Sequence, residues 1–191
     1  MFRKFTNAAD AMTIAPGMVM ISFSAIALGA AFGGYLPLIA LWMETLEVSF
    51  QQIGIVSGAS ALGIICSAYF APHLAQKYGY VVTINIGLII AAIMTVLFRY
   101  TENYAAWLAI RFVCGLGLGL HWVLTEAWLA NIVSDHGRTR VMAIYATAIS
   151  VGFAAGPATI WLFGFSTPTP FYLIAAFLLI AALPIYTLRG H

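Results

Sequence analysis

Apolar positions in this chain run in long unbroken stretches, and the polar positions collect in short connections between them. Six such stretches, near residues 17–43, 51–72, 80–98, 105–132, 140–163 and 171–188, are each wide enough to cross a bilayer, which takes roughly 20 apolar residues in a helix. Barrel strands would be short and would alternate apolar with polar residues, so continuous runs predict helices. The pattern therefore predicts an all-α integral membrane protein of six transmembrane helices over residues 17–188. Residues 1–16 form a short cytoplasmic leader and residues 189–191 a cytoplasmic tail. The spans consume the chain and leave no room for a soluble domain.

Composition supports this picture. Apolar residues make up 63% of the 191 and charged residues 7%, and the mean hydropathy is +0.98, far outside the range of soluble domains. The lipid bilayer is the first partner. A formal charge of +2 is too small to suggest nucleic acid, and none is expected as a partner; the placement of the basic residues carries the information instead. Arg3, Lys4, Lys77, Arg138, Arg140 and Arg189 fall on the side of the N-terminus, against Arg99 alone on the other. The positive-inside rule then puts both termini in the cytoplasm of a multi-pass cell-membrane protein. Trp42, Trp107 and Trp161 fall at outer helix ends, and Tyr78, Tyr80 and Tyr186 at inner ends, as aromatic belts would. Ala27 and Gly29 superficially resemble a signal-peptide cleavage site, but the apolar run continues to Met43, as in a retained helix.

Within the spans, Gly29, Gly33, Gly34 and Pro37 cluster in the first. They permit either a bend beside a cavity or close helix packing. The fourth span carries Arg111, Gly115, Gly117, Gly119, His121, Glu126 and Trp128. An arginine inside a membrane helix costs on the order of 3 kcal/mol unless it pairs, snorkels or meets water, so its default reading is functional. Arg111 and Glu126 project to broadly the same side, yet lie about 22 Å apart along a helix axis, too far to pair. Glu126 either reaches the inner interface, capping an ion pair with Arg138 or Arg140, or carries a proton. His121 either donates to a backbone carbonyl or serves in a proton relay. Asn85, Ser22, Ser24, Thr147 and Ser150 read as bonds between helices, and Asn85 and Tyr35 join Arg111, Gly115, His121 and Glu126 as candidates for a substrate or proton pathway.

Cys66 and Cys114 lie in apolar runs and read as packing residues; no metal or cofactor is expected. Enzyme signatures are absent: there is no H-E-x-x-H, no G-x-S-x-G around a serine and no P-loop. The glycines at 115, 117 and 119 follow no strand, so they read as packing glycines rather than a nucleotide fingerprint.

Three local motifs carry a family resemblance. R-F-V-C-G-L-G-L-G from Arg111 resembles the R-x-x-q-G-x-g motif of major facilitator superfamily transporters, and G-F-A-A-G-P from Gly152 through Gly156 to Pro157 resembles the start of their antiporter motif, with Ile160 and Trp161 in place of its last glycines. P-H-L-A-Q-K-Y-G-Y from Pro72 to Tyr80, including Lys77 and Gly79, resembles their cytoplasmic loop motif, with Gln76 where the family has an acidic latch residue. The chain thus resembles the N-terminal six-helix half, two three-helix repeats, of such a transporter. The resemblance implies proton-coupled, alternating-access transport of a small solute, with Arg111 in proton or substrate coupling, and antiport if the span-5 motif acts as in the family. It also implies a second six-helix half or a homodimer partner. The rival reading is a non-transporting membrane protein that pairs with another and modulates it.

Overall fold

The computed structural model describes the backbone of residues 8–132 and 135–186 and the side chains of residues 19–129 and 139–183. The described residues form seven helices: α1 (Ala8–Thr45), α2 (Phe50–Tyr78), α3 (Tyr80–Arg99), α4 (Tyr104–Ile132), α5 (Asp135–Ala155), α6 (Ala158–Phe163) and α7 (Thr169–Tyr186). Five stretches are long and apolar enough to cross a membrane: Val19–Thr45, Phe50–Tyr78, Tyr80–Arg99, Tyr104–Leu129 and Thr139–Phe163. Thr169–Leu183 is a shorter apolar helix. In hydrocarbon every backbone N–H and C=O must bond within its own segment, and these helices meet that demand.

Three boundaries depart from the sequence expectation. First, α1 begins at Ala8, so half of the expected leader is helical, as the good helix formers of the Ala8–Met12 stretch favour. Second, α2 runs through Pro72 to Tyr78, and the connection to α3 is Gly79 alone. Proline removes one backbone bond, and breaking the helix there would have exposed several more. Gly79 turns the chain at φ 85, a conformation that costs glycine little. Third, the expected fifth span is divided at Gly156 and Pro157 into α5 and α6. Pro157 has no N–H to give, and its ring crowds the carbonyl four residues earlier. The chain at residues 187–191 lies outside the described residues, as does the expected tail.

The helices pack as two interlocked sets. α1 lies against α5 and α7, α4 lies against α2 and α3, and α3 meets α7. Exchanging α1 with α4, α2 with α5 and α3 with α7 leaves this set of neighbours unchanged. Glycine makes both principal crossings possible. A side chain at Gly29 or Gly33 would run into the carbonyls of Ile149 or Phe153, and one at Gly115 or Gly63 into those of Ser60 or Phe112. Small residues let backbones approach where lipid offers no hydrophobic drive for association. The cluster in α1 is therefore used for close packing, and α1 continues through it without interruption. Gly117 and Gly87 provide the same service between α4 and α3.

The main core joins α1, α2, α3, α4 and α7, and a second cluster of Ile21, Ala25, Leu129, Val141, Tyr145 and Ala148 joins α1, α4 and α5. Large apolar side chains such as Val19, Phe23, Leu62 and Ile65 face outward, as lipid contact requires. Ser24 Oγ donates to the Ala181 carbonyl across α1 and α7 at 2.6 Å, the bond between helices that the sequence leads one to expect. Asn85, Thr147 and Ser150 instead bond the carbonyls of Val81, Ala143 and Ala146 on their own helices. That carbonyl four residues back is always within reach, whereas a neighbouring helix must present a free one.

Candidate functional site

The continuous helix α4 holds a file of polar groups in an apolar bundle. Arg111 is 1% exposed, the largest of the fully buried side chains. Its guanidinium lies over the ring of Tyr35 on α1, 4.7 Å from the centroid, and its Nε and Nη1 have no hydrogen-bond partner among the described residues. The Tyr35 hydroxyl is also buried without a hydrogen-bond partner among the described residues. One turn on, Cys114 Sγ donates weakly to the Ala91 carbonyl of α3 at 3.9 Å. Cys114 is thus a buried packing residue, as its apolar surroundings lead one to expect.

Gly115 lies against Ser60 of α2, where the missing side chain lets the two helices cross closely. His121 is fully buried, with neither ring nitrogen bonded among the described residues. The expected bond to a backbone carbonyl is not formed among the described residues. Thr125 adds a further hydroxyl without a partner among the described residues one turn later, and the buried Asn85 Oδ1 of α3 likewise has none there. Leaving so many polar groups unsatisfied is expensive in a low-dielectric interior, and such sites mark function more often than scaffolding.

Glu126 is half-buried and accepts a hydrogen bond from Trp122 Nε1 at 2.6 Å on its own helix. Among the described residues it has no ion pair: Arg140 is exposed, and the side chain of Arg138 lies outside the described residues. Trp122 meets Phe32 of α1 edge to face, with centroids 6.1 Å apart, and Phe32 meets Phe153 of α5 at 6.4 Å. Leu28, Gly29, Phe32, Trp122, Ile149 and Phe153 line a partly open cavity of about 90 Å³ beside these rings. The aromatic set escapes a reading of the sequence because its members come from three helices; the i, i+4 spacing of Trp122 and Glu126 is the one signal that could have flagged it.

The motif residues occupy separate places. Gln76 and Lys77 are exposed at the end of α2, where Lys77 Nζ lies 5.0 Å from the Tyr78 ring centroid. Gly152 and Gly156 seat α5 against the backbone of α1 at Ile26 and at Ala30 and Gly34, immediately before the Pro157 break. None of these adjoins Arg111. At the far end of α3, Arg99 stacks on Trp42 at 3.9 Å, Trp42 meets Phe171, and Trp107 stacks on Phe98 while its Nε1 donates to the Thr101 carbonyl at 2.6 Å. Trp42 and Trp107 are therefore buried joints and not a headgroup belt; Trp161, 83% exposed, is turned outward. Packing of each ring against a phenylalanine inside the bundle buries more of it than the interface would.

The model of the Major Facilitator Superfamily matches residues 21–190. The "Uncharacterized MFS-type transporter YfkF" of Bacillus subtilis is 26% identical over 162 residues, which are 85% of this chain and 41% of that protein. The "Uncharacterized MFS-type transporter YcaD" of Salmonella enteritidis is 26% identical over 119 residues, covering 62% and 31% respectively. "Multidrug resistance protein 2" of Bacillus subtilis is 26% identical over 151 residues, covering 78% and 38%. The chain thus spans well under half the length of each of these relatives.

Proposed function

The chain belongs to the Major Facilitator Superfamily, and from that premise we propose that it is one six-helix half of a secondary transporter that moves a small solute across the cell membrane by alternating access. In this reading α7 is the sixth span, both termini are cytoplasmic, and 17–188 is one bundle. The second half comes from further chain or from a second copy, since the relatives are more than twice as long as the matched region. Family transporters rock two such halves around a midplane site.

The observation that carries the proposal is Arg111. A buried guanidinium with two unsatisfied N–H positions, stacked on Tyr35 of the facing repeat, is costly unless another state or a bound species uses it. Arg111 holds an anionic group or biases the protonation of a partner as the halves rock, with His121, Glu126, Asn85, Tyr35 and Gly115 along the same route. Coupling is to protons, and the Gly152, Gly156 and Pro157 segment favours antiport. Gln76, Lys77, Gly79, Arg138 and Arg140 belong to the cytoplasmic joints that change between states. No chemical transformation of the solute is part of this reading.

The Arg111–Tyr35 contact also supports a second reading, a non-transporting membrane protein in which the arginine only ties α4 to α1. Reconstitution separates the two. The complete assembly in proteoliposomes with an imposed pH gradient and an internal pH dye should dissipate the gradient when its solute is added, and Arg111→Ala should stop this. Flux indifferent to the gradient removes proton coupling. Absence of solute-dependent flux over a broad solute panel favours the modulator.

A further inference from the structure

Glu126 is the acidic residue inside the fourth span, and among the described residues the group that holds it is an aromatic ring and not a basic side chain. Its Oε1 is held by the Trp122 indole N–H at 2.6 Å. That bond sets the Trp122 ring against Phe32, which in turn meets Phe153. The adjoining cavity is lined by carbon-rich side chains. Among the described residues no cation pairs with the carboxylate, and Arg111 lies about 22 Å away along α4.

Each class of ligand meets this arrangement differently. An anion would be repelled by Glu126. A neutral apolar molecule would gain from the rings and nothing from the carboxylate. A small hydrated cation would lose its water to an apolar wall, a heavy cost. A large cation with delocalised charge sheds little hydration, and it gains from the carboxylate and from the ring faces together, the combination that aromatic cages use for quaternary ammonium groups. The cavity, at about 90 Å³, is smaller than the roughly 300 Å³ of sites that enclose a whole drug-sized ligand. It takes one aryl arm, with the remainder of the molecule facing the space between the halves.

We infer that Glu126, Trp122, Phe32 and Phe153 form one wall of a binding site for a monovalent, aromatic, lipophilic cation. The inference rests on the transport reading and gives that site a substrate class.

Equilibrium dialysis of tetraphenylphosphonium against the full chain in neutral phosphatidylcholine nanodiscs tests it, with empty nanodiscs as background. Tetraphenylborate, of the same shape and opposite charge, is the competitor. Saturable tetraphenylphosphonium binding is expected, with no competition from tetraphenylborate. Glu126→Gln should weaken binding about tenfold or more, the scale of a desolvated cation's attraction to such a site. Its amide oxygen still accepts from Trp122, so the geometry is kept while the charge is removed; Glu126→Asp should retain most of the affinity. Three results would overturn the inference: no saturable binding, equal affinity in a Glu126→Gln protein that elutes as the native one does, or effective competition by the borate. Solute flux by the complete assembly that ignores tetraphenylphosphonium would leave transport standing without this ligand class. Saturable binding without any flux would leave the site and remove the transport reading.

Discussion

The guanidinium of Arg111 lies over the ring of Tyr35, 4.7 Å from its centroid, and so joins α4 to α1 at a point where both side chains are buried. The contact is electrostatic and directional, and it leaves Nε and Nη1 of the arginine unsatisfied. Replacing Arg111 by Ala loses a cation–π contact worth about 2 kcal/mol when desolvated. It also removes a buried charge whose desolvation costs at least as much. The two effects offset, so the folded yield and thermal midpoint should stay close to wild type while transport by the complete assembly disappears. Uptake that survives Arg111→Ala would take the residue out of the mechanism.

Glycines on α2 should behave oppositely according to the face they occupy. Gly63→Val drives a side chain into the Phe112 carbonyl of α4, and overpacking of this kind costs about 1–3 kcal/mol. Gly58→Ala meets open space and should gain up to about 1 kcal/mol from helix propensity. Thermal unfolding of the two variants in detergent checks the sign of each; equal effects would mean that α2 does not cross α4 at Gly63.

Hydroxyls should divide in the same way. Ser24→Ala removes a bond from α1 to α7 and should cost about 0.6–1.7 kcal/mol, the range for interhelical bonds in membranes. Thr147→Ala removes a bond within α5 on an exposed face and should stay within about 0.5 kcal/mol. A larger loss at Thr147 than at Ser24 would contradict this assignment of partners.

Arg99 and Trp42 should be energetically coupled. Their stacking at 3.9 Å predicts a coupling free energy of about 0.5–2 kcal/mol in a double-mutant cycle of Arg99→Ala and Trp42→Leu. Strict additivity would show that the stack contributes nothing to the joint between α3 and α1.

Gly79 carries the whole connection between α2 and α3 at φ 85, with nothing near an added Cβ. Gly79→Ala should therefore destabilise by about 1–3 kcal/mol through backbone strain alone. A neutral effect in chemical unfolding would indicate that the turn relaxes to another conformation.

Much of the architecture was legible in the chain. Polar punctuation at Glu44 to Ser49, Gly79 and Thr101 to Asn103 sits at observed connections, and the burial of Arg111 inside the fourth apolar stretch could be read directly. Less legible was where α2 ends, because Pro72 is a strong breaker in water and a tolerated one here. The break at Gly156 and Pro157 was present as a motif, yet the same residues could equally have lain in a continuous helix.

Sequence alone determined that this protein lives in a bilayer as helices, and roughly where each begins and ends. Hydrocarbon forces every backbone group to find its partner within a few residues, which makes helix formation a local property. Tertiary structure alone decided which side chains meet: Ser24 with Ala181 while Asn85, Thr147 and Ser150 turn to their own helices, Trp42 and Trp107 folded inward, and Phe32 set between Phe153 and the Trp122 ring that holds Glu126. A helix apolar on every side carries no stripe to announce its inward face. Its rotation and its neighbours are set by shape, by where glycine allows two backbones to touch, and that is a property of pairs of segments far apart in the chain.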